Sequence, residues 1–243
     1  MNRMGATGPG PEIEAISRPT LPTVIGERLR KLVIEGAFEP GTQLNAVDLA
    51  ERFGVSRGPV REALQVLVQE GLLRSEPRRG VFVPIVGDDD IADIYAAREA
   101  IEAATFRACL RDDDRRAILA TALAGIVADM RSAAAEGRWA DVAELDMDFH
   151  GEVVTSAGSP RLSRMYAMLM DETRACLNVF AAYPGRVDLA DEHAELLALI
   201  EARDEAGLLE ELRRHFTEGL AALRSYRRVP GSAGDAAGEN RAG

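Results

Sequence analysis

Sulfur, histidine and aromatic residues are scarce in this chain. Its 243 residues include two cysteines, three histidines and one tryptophan. Cys109 and Cys176 are too few for a disulfide framework or a thiolate zinc site. Both fall in helical patterns and read as buried, inert thiols. No stretch approaches the roughly 18 consecutive apolar residues of a membrane span. The N-terminus, MNRMGATGPGPEIEAISRP, lacks the apolar centre of a secretory signal. These absences predict a cytoplasmic protein with no membrane partner. Runs of β-branched residues are short, whereas Ala and Leu are abundant, which favours helix.

A net charge of −11 argues at first against nucleic acid. The charge is unevenly distributed, however. Residues 1–86 carry 11 basic and 10 acidic side chains, whereas residues 87–243 carry 18 and 30. Six arginines and only three acids lie between positions 52 and 79. A local basic patch is attached to an acidic body, so the whole-chain charge is the wrong statistic.

Along the chain, residues 1–19 are rich in Gly and Pro and read as a disordered arm. A helix with Ile25, Leu29, Leu32 and Val33 on one face follows and ends at Gly36. FEPGTQL reads as a turn. A short helix then carries Ala46, Leu49, Ala50 and Phe53 and stops at Gly54. Ser56 is placed to cap the next helix, whose Pro59 falls in the first turn, where a missing N–H costs little. That helix turns Val60, Ala63, Leu64, Leu67 and Val68 inward. LLRS and GVFVP read as two strands around the turn EPRRG. The domain predicted from these elements spans residues 20–86. After the acidic linker VGDDD only helical periodicity remains, in segments near 90–110, 112–136, 139–157, 160–182, 187–203 and 205–228. Breaks fall at Gly137, at Gly158 to Pro160 and at Pro184-Gly185. The fold expected is mainly α, with an all-helical antiparallel bundle over 87–228 and a disordered tail over 229–243.

Two short helices joined by FGVS, followed by a basic hairpin, form a winged helix-turn-helix pattern. Arg57, Arg61 and Gln65 stand at i, i+4 and i+8, opposite the apolar stripe. Arg and Gln read guanine and adenine edges through paired hydrogen bonds in a major groove. Arg78 and Arg79 fall at the hairpin tip beside Gly80, where a wing reaches a neighbouring groove or backbone. The segments PGTQL, LAERFGVSRGPVREAL and GLL…RRGVFV resemble the winged-helix domain of the GntR superfamily of bacterial transcription regulators. That resemblance puts the family's recognition arginines on Arg57 and Arg61 and its wing glycine on Gly80. It implies binding to a double-stranded operator. The first helix of the motif departs from the family, with NAVDLA where an acidic then a basic residue is usual.

All three histidines fall on apolar stripes of different predicted helices. His150 follows Asp146 by one turn among Val142, Phe149 and Val153. His193 lies with Leu189, Leu196 and Ile200, and His215 with Leu208, Leu212 and Gly219. On pattern alone they are either separately satisfied buried residues or one site. An Asp oxygen with three imidazoles suits Zn²⁺, Ni²⁺ or Mn²⁺ and leaves positions for further ligands. Residues 90–226 resemble the all-helical FCD ligand-binding domain of FadR-type GntR regulators, through IADIYAAREAIEAATFRA, DMDFH, EHAELLALIEARDEAGL and RRHF. The resemblance places that family's metal ligands on Asp146, His150, His193 and His215. Arg98 also falls on an inward stripe, either paired with Glu102 or poised for a ligand carboxylate.

The leading expectation is a dimeric regulator, a repressor rather than an enzyme. It would bind an inverted repeat and respond to a small organic acid at the divalent metal. The alternatives are a metalloenzyme fused to a DNA-binding module and a sensor of the metal itself. Asp148, between the ligands in sequence, points to another face.

Overall fold

The computed structural model describes residues 19–179 and 188–227. Residues 1–18 of the predicted arm, the predicted tail 229–243 and the break at Pro184-Gly185 lie outside the described residues. The fold is mainly α, as the periodicity predicts, with a small sheet near the N-terminus.

Helix α1 (Leu21–Ile34) starts at Thr20, whose hydroxyl accepts from the Thr23 amide at 3.5 Å. Asn45 caps α2 (Ala46–Phe53) more tightly, accepting from Val47 N at 2.8 Å. Gly54 ends α2 in the left-handed region (φ 67°), which reverses the chain at little cost. Helix α3 (Arg57–Gln69) then packs Val60, Ala63, Leu64 and Leu67 against Ile25, Leu29 and Val33 of α1. Ser56 occupies the N-cap position of α3, but its side chain makes no capping hydrogen bond. The predicted cap is thus only positional.

Strands β2 (Arg74–Glu76) and β3 (Gly80–Phe82) form the expected hairpin, with Ser75 opposite Val81. A third strand, β1 (Gln43–Leu44), pairs with the other edge of β3, giving the order β1-β3-β2. The sequence reading placed this stretch in a turn. Two residues are too few to show alternation, and the pairing partner lies almost forty positions away.

Six helices follow: α4 (Asp88–Leu110), α5 (Asp113–Ala135), α6 (Trp139–Ser156), α7 (Pro160–Val179, to the last described residue), α8 (Leu189–Ala202) and α9 (Glu205–Arg227). Phe106, Leu119, Leu123, Phe149, Leu196 and Leu212 fill the centre between them. Cys109 and Cys176 are both buried, as predicted, and neither forms a disulfide among the described residues. Part of α5 is apolar enough to cross a membrane, with a mean hydropathy of 1.4. Its Leu119, Leu123, Val127 and Met130 are instead buried in the bundle.

Helix α7 connects the two cores. Its Ala175 packs on the N-terminal core. Its Asp171 accepts from Arg30 of α1, which also holds Glu70 at 2.5 Å. These partly exposed ion pairs orient more than they stabilise.

The register of α3 is testable with adjacent residues. Leu67→Ala, at a fully buried site, is expected to cost roughly 2–5 kcal/mol of stability. Val66→Ala, at a side chain 46% exposed, should stay within about 0.5 kcal/mol. Denaturant unfolding of both variants checks the contrast, and equal losses would contradict this packing.

Candidate metal centre and nucleic-acid interface

Asp146 and His150 reach the bundle interior from successive turns of α6, His193 from α8 and His215 from α9. All four are buried, and one ligand atom from each lies within 4.8 Å of the others. His150 Nε2 is 3.1 Å from His215 Nε2, and His193 Nε2 is 3.2 Å from Asp146 Oδ1.

The outer nitrogens explain this convergence. His150 Nδ1 contacts Glu102 Oε2 at 2.6 Å, and His215 Nδ1 contacts Glu192 Oε2 at 3.0 Å. His193 Nδ1 donates to the Leu189 carbonyl at 2.8 Å. With Nδ1 as the donor in each ring, all three Nε2 atoms present lone pairs to one point. Two lone pairs 3.1 Å apart repel unless a cation or a proton lies between them. His193 Nε2 is buried and faces Asp146 Oδ1 at 3.2 Å without another hydrogen-bond partner among the described residues. An orphaned ring nitrogen beside a carboxylate and two further imidazoles is a donor set that fits a divalent cation.

The electrostatics agree. Burial, aided by neighbouring His193 and His150 and against the pull of Glu192, lowers His215 to about 4. Its imidazole is therefore neutral and able to ligate. Burial opposes ionisation of Asp146, but contact with His193 and, in their protonated form, the charge of the three imidazoles outweigh it. The carboxyl is held well below the usual range.

Arg98 is buried beside this cluster, and both readings of it retain support. Its Nε is 3.9 Å from Glu102 Oε1 and donates to Tyr166 Oη at 3.4 Å. Its guanidinium carbon lies 5.0 Å from the Phe216 ring centre and 5.5 Å from that of Tyr95. Arg98, Asp146, His150, His215, Tyr95 and Phe216 border one cavity of about 10 Å³, enough for one small species.

Three residues support the cluster in ways the sequence does not predict: Tyr166, Glu192, and Glu102, expected only as a partner for Arg98. Glu102 is fully buried and ties His150 to Tyr166, whose hydroxyl donates to its other oxygen. Glu192 supports His215. The available signal was an acid on a buried stripe: Glu102 stands one turn after Arg98, and Glu192 directly precedes His193. Asp148, in contrast, is exposed and 3.9 Å from Arg174.

At the other end of the molecule, Arg57, Arg61 and Gln65 are all exposed on one face of α3, with Ser56 exposed at its start. The hairpin separates its two arginines. Arg79 is tied back to Glu76 at 2.5 Å and lies over Phe82. Arg78 stands exposed at the tip in a left-handed conformation (φ 65°), which a non-glycine residue rarely adopts. Gly80 has φ 110°, and a Cβ there would come within 2.9 Å of Gln43 Nε2. The Gln43 side chain could move aside, so it is the positive φ that favours glycine here.

Comparisons with known proteins agree with the architecture. Residues 22–83 match the model for bacterial regulatory proteins of the gntR family, and residues 93–218 match the FCD domain. The chain is 29% identical to the HTH-type transcriptional repressor GlaR of Escherichia coli, over 81% of its own length and 93% of the relative's. It is 26% identical to the gluconate operon transcriptional repressor of Bacillus subtilis, covering 84% and 85%. The solved structure of Escherichia coli McbR/YncC has the same fold, with a TM-score of 0.69 at 23% identity, covering 86% of this chain and 100% of that one. A winged helix-turn-helix matching one model and a helical bundle matching the other make this chain a DNA-binding transcription regulator of the GntR family with an FCD domain.

Proposed function

We propose that this regulator represses transcription as a cytoplasmic homodimer on an inverted-repeat operator. In this reading its affinity is set by a small organic acid bound at a divalent metal. The observation that carries the proposal is the convergence of three imidazole Nε2 atoms and Asp146 beside a buried arginine.

Asp146, His150, His193 and His215 would hold the ion, and Zn²⁺, Ni²⁺ and Mn²⁺ all suit three nitrogens and one oxygen. When bound, the ion supplies a Lewis-acidic centre that attracts anionic oxygen donors. Arg98 adds the second attraction. Its Nε faces Tyr166 and Glu102, while neither Nη has a hydrogen bond among the described residues. A carboxylate can take both Nη donors in paired geometry. The cavity of about 10 Å³ is too small for such an acid as it stands, so its entry must shift Phe216, Tyr95 or Leu189. Such a shift is the difference between states that any switch needs, and a tenfold change in operator affinity corresponds to about 1.4 kcal/mol of coupling.

The small cavity also favours a second reading, in which the ion alone is the signal. Operator affinity that responds to metal without any acid would select it.

On the DNA side, Arg57, Arg61 and Gln65 would enter the major groove, with Ser56 at the phosphate backbone. Arg78 would lead the wing, with Arg79 and Gly80 shaping it. In a two-fold dimer, two such helices face half-sites of an inverted repeat. Arg61→Ala is expected to weaken operator binding by roughly 1–3 kcal/mol in a gel-shift titration. Unchanged affinity in both Arg61→Ala and Arg57→Ala would remove α3 from recognition.

Native protein should carry one divalent ion per chain by elemental analysis, and His150→Ala, His193→Ala and His215→Ala should each lose most of it. Bound metal should be retained below the usual imidazole range and lost as pH falls towards about 4, where His215 takes up a proton and can no longer ligate. Full metal content in all three variants would refute the shared site. Small carboxylates should raise the melting temperature of metal-loaded protein far more than that of chelated protein or of His193→Ala. Equal shifts in loaded and chelated protein would refute the acid reading.

A further inference from the structure

A second, apolar cavity shares no lining residue with the one beside the metal cluster. It has a volume of about 570 Å³ and lies where the two domains meet. Leu72, Leu73 and Val83 border it from the winged helix, Pro84 to Val86 from the linker, and Ile94, Glu172 and Ala175 from α4 and α7. Its volume falls in the range of small-molecule sites, and such sites favour domain junctions.

One polar group distinguishes this cavity from a packing defect. Glu172 is half-buried, yet its carboxylate makes no hydrogen bond or ion pair among the described residues, whereas neighbouring Asp171 is engaged by Arg30. The other charged side chains at the rim are exposed or committed. Asp90 accepts from the Gly87 amide at 2.7 Å, Arg74 pairs with Glu76 at 2.6 Å, and Glu39 is exposed. The Glu172 carboxylate lies so close to Gly71 that a Cβ there would stand 2.7 Å from Oε1. Gly71 has φ +85°, so a side chain at that position would be strained as well. Burial raises the Glu172 carboxyl above its ordinary range, and the charges of Asp171 and Asp93 raise it further. An unpartnered carboxylate among acids, on the wall of an apolar cavity, attracts a cation that brings apolar surface with it.

We infer that the domain junction is a second ligand site, for a small amphipathic amine whose ammonium group pairs with Glu172 and whose apolar body fills the space between Leu72, Leu73, Val83 and Ile94. Because its walls belong to both domains, occupancy favours one placement of the winged helix relative to the bundle. A ligand there would therefore alter operator affinity independently of the metal.

The test uses full-length, metal-loaded protein and three probes of similar shape: 3-phenylpropylamine, 3-phenylpropan-1-ol and 3-phenylpropionate. Ligand-observed NMR titration gives the affinity of each. The amine should bind saturably and roughly tenfold more tightly than the alcohol, as a charge-assisted contact gives. In Glu172→Gln, a near-isosteric change, the amine should fall to the level of the alcohol while the melting temperature and metal content hold. In His193→Ala the preference for the amine should persist, which separates this site from the metal cluster. The inference is overturned if the propionate binds as well as the amine, or if the preference survives in Glu172→Gln. It is also overturned if none of the probes binds saturably, as when a second copy or another part of the chain fills the space.

Discussion

The metal centre proposed for the helical domain depends on the hydrogen bonds at the outer nitrogens of three buried imidazoles. Glu102, the Leu189 carbonyl and Glu192 each engage one Nδ1, at 2.6, 2.8 and 3.0 Å. A neutral imidazole carries one proton, so fixing it on Nδ1 fixes the lone pair on Nε2. Three such lone pairs and an ionised Asp146 are thus directed to one buried point. Burial without a cation would leave that arrangement unfavourable, since repulsion between acceptors has no solvent to screen it. The same geometry turns favourable once a divalent ion occupies the point. The acids at the outer nitrogens do more than orient the rings, because they raise their basicity as ligands.

These partners also connect the cluster to the rest of the molecule. Glu102 binds His150 with one oxygen and Tyr166 with the other, and Tyr166 accepts from Arg98. Tyr166 belongs to α7, and further along the same helix Asp171 meets Arg30 and Ala175 meets the winged-helix core. A displacement at the cluster therefore has a rigid element through which to reach the DNA-binding domain. The junction cavity lies against that same helix at Glu172. Two sites biasing one helix is a simple arrangement for integrating two signals.

The sequence made the helices and the four clustered residues legible because both follow from one period. A histidine falling among Leu189, Leu196 and Ile200 must face inward, and three such helices in one bundle have a shared interior. The exposed face of α3 was equally legible: Arg57, Arg61 and Gln65 oppose Val60, Ala63, Leu64 and Leu67, and the structure exposes the first set and buries the second. What periodicity cannot supply is pairing across distance. Strand β1 escaped because its two residues find their partner in β3. The bond from Glu102 to His150 spans 48 positions, and the one from Tyr166 to Glu102 spans 64. The differing fates of Arg78 and Arg79 depend on φ at the wing tip and on Glu76, and an alternating pattern encodes neither. The junction cavity combines residues from α1 to α7, so only the packed chain reveals it.

The central claim is that these imidazoles are ligands to one ion rather than three separately satisfied core residues. X-ray absorption spectroscopy at the edge of the metal that accompanies the native protein addresses it most directly. The account predicts a nitrogen- and oxygen-only shell, with the outer-ring scattering of three imidazoles near about 2.0–2.1 Å. A shell with one imidazole or none, or one containing sulfur from Cys109 or Cys176, would contradict it.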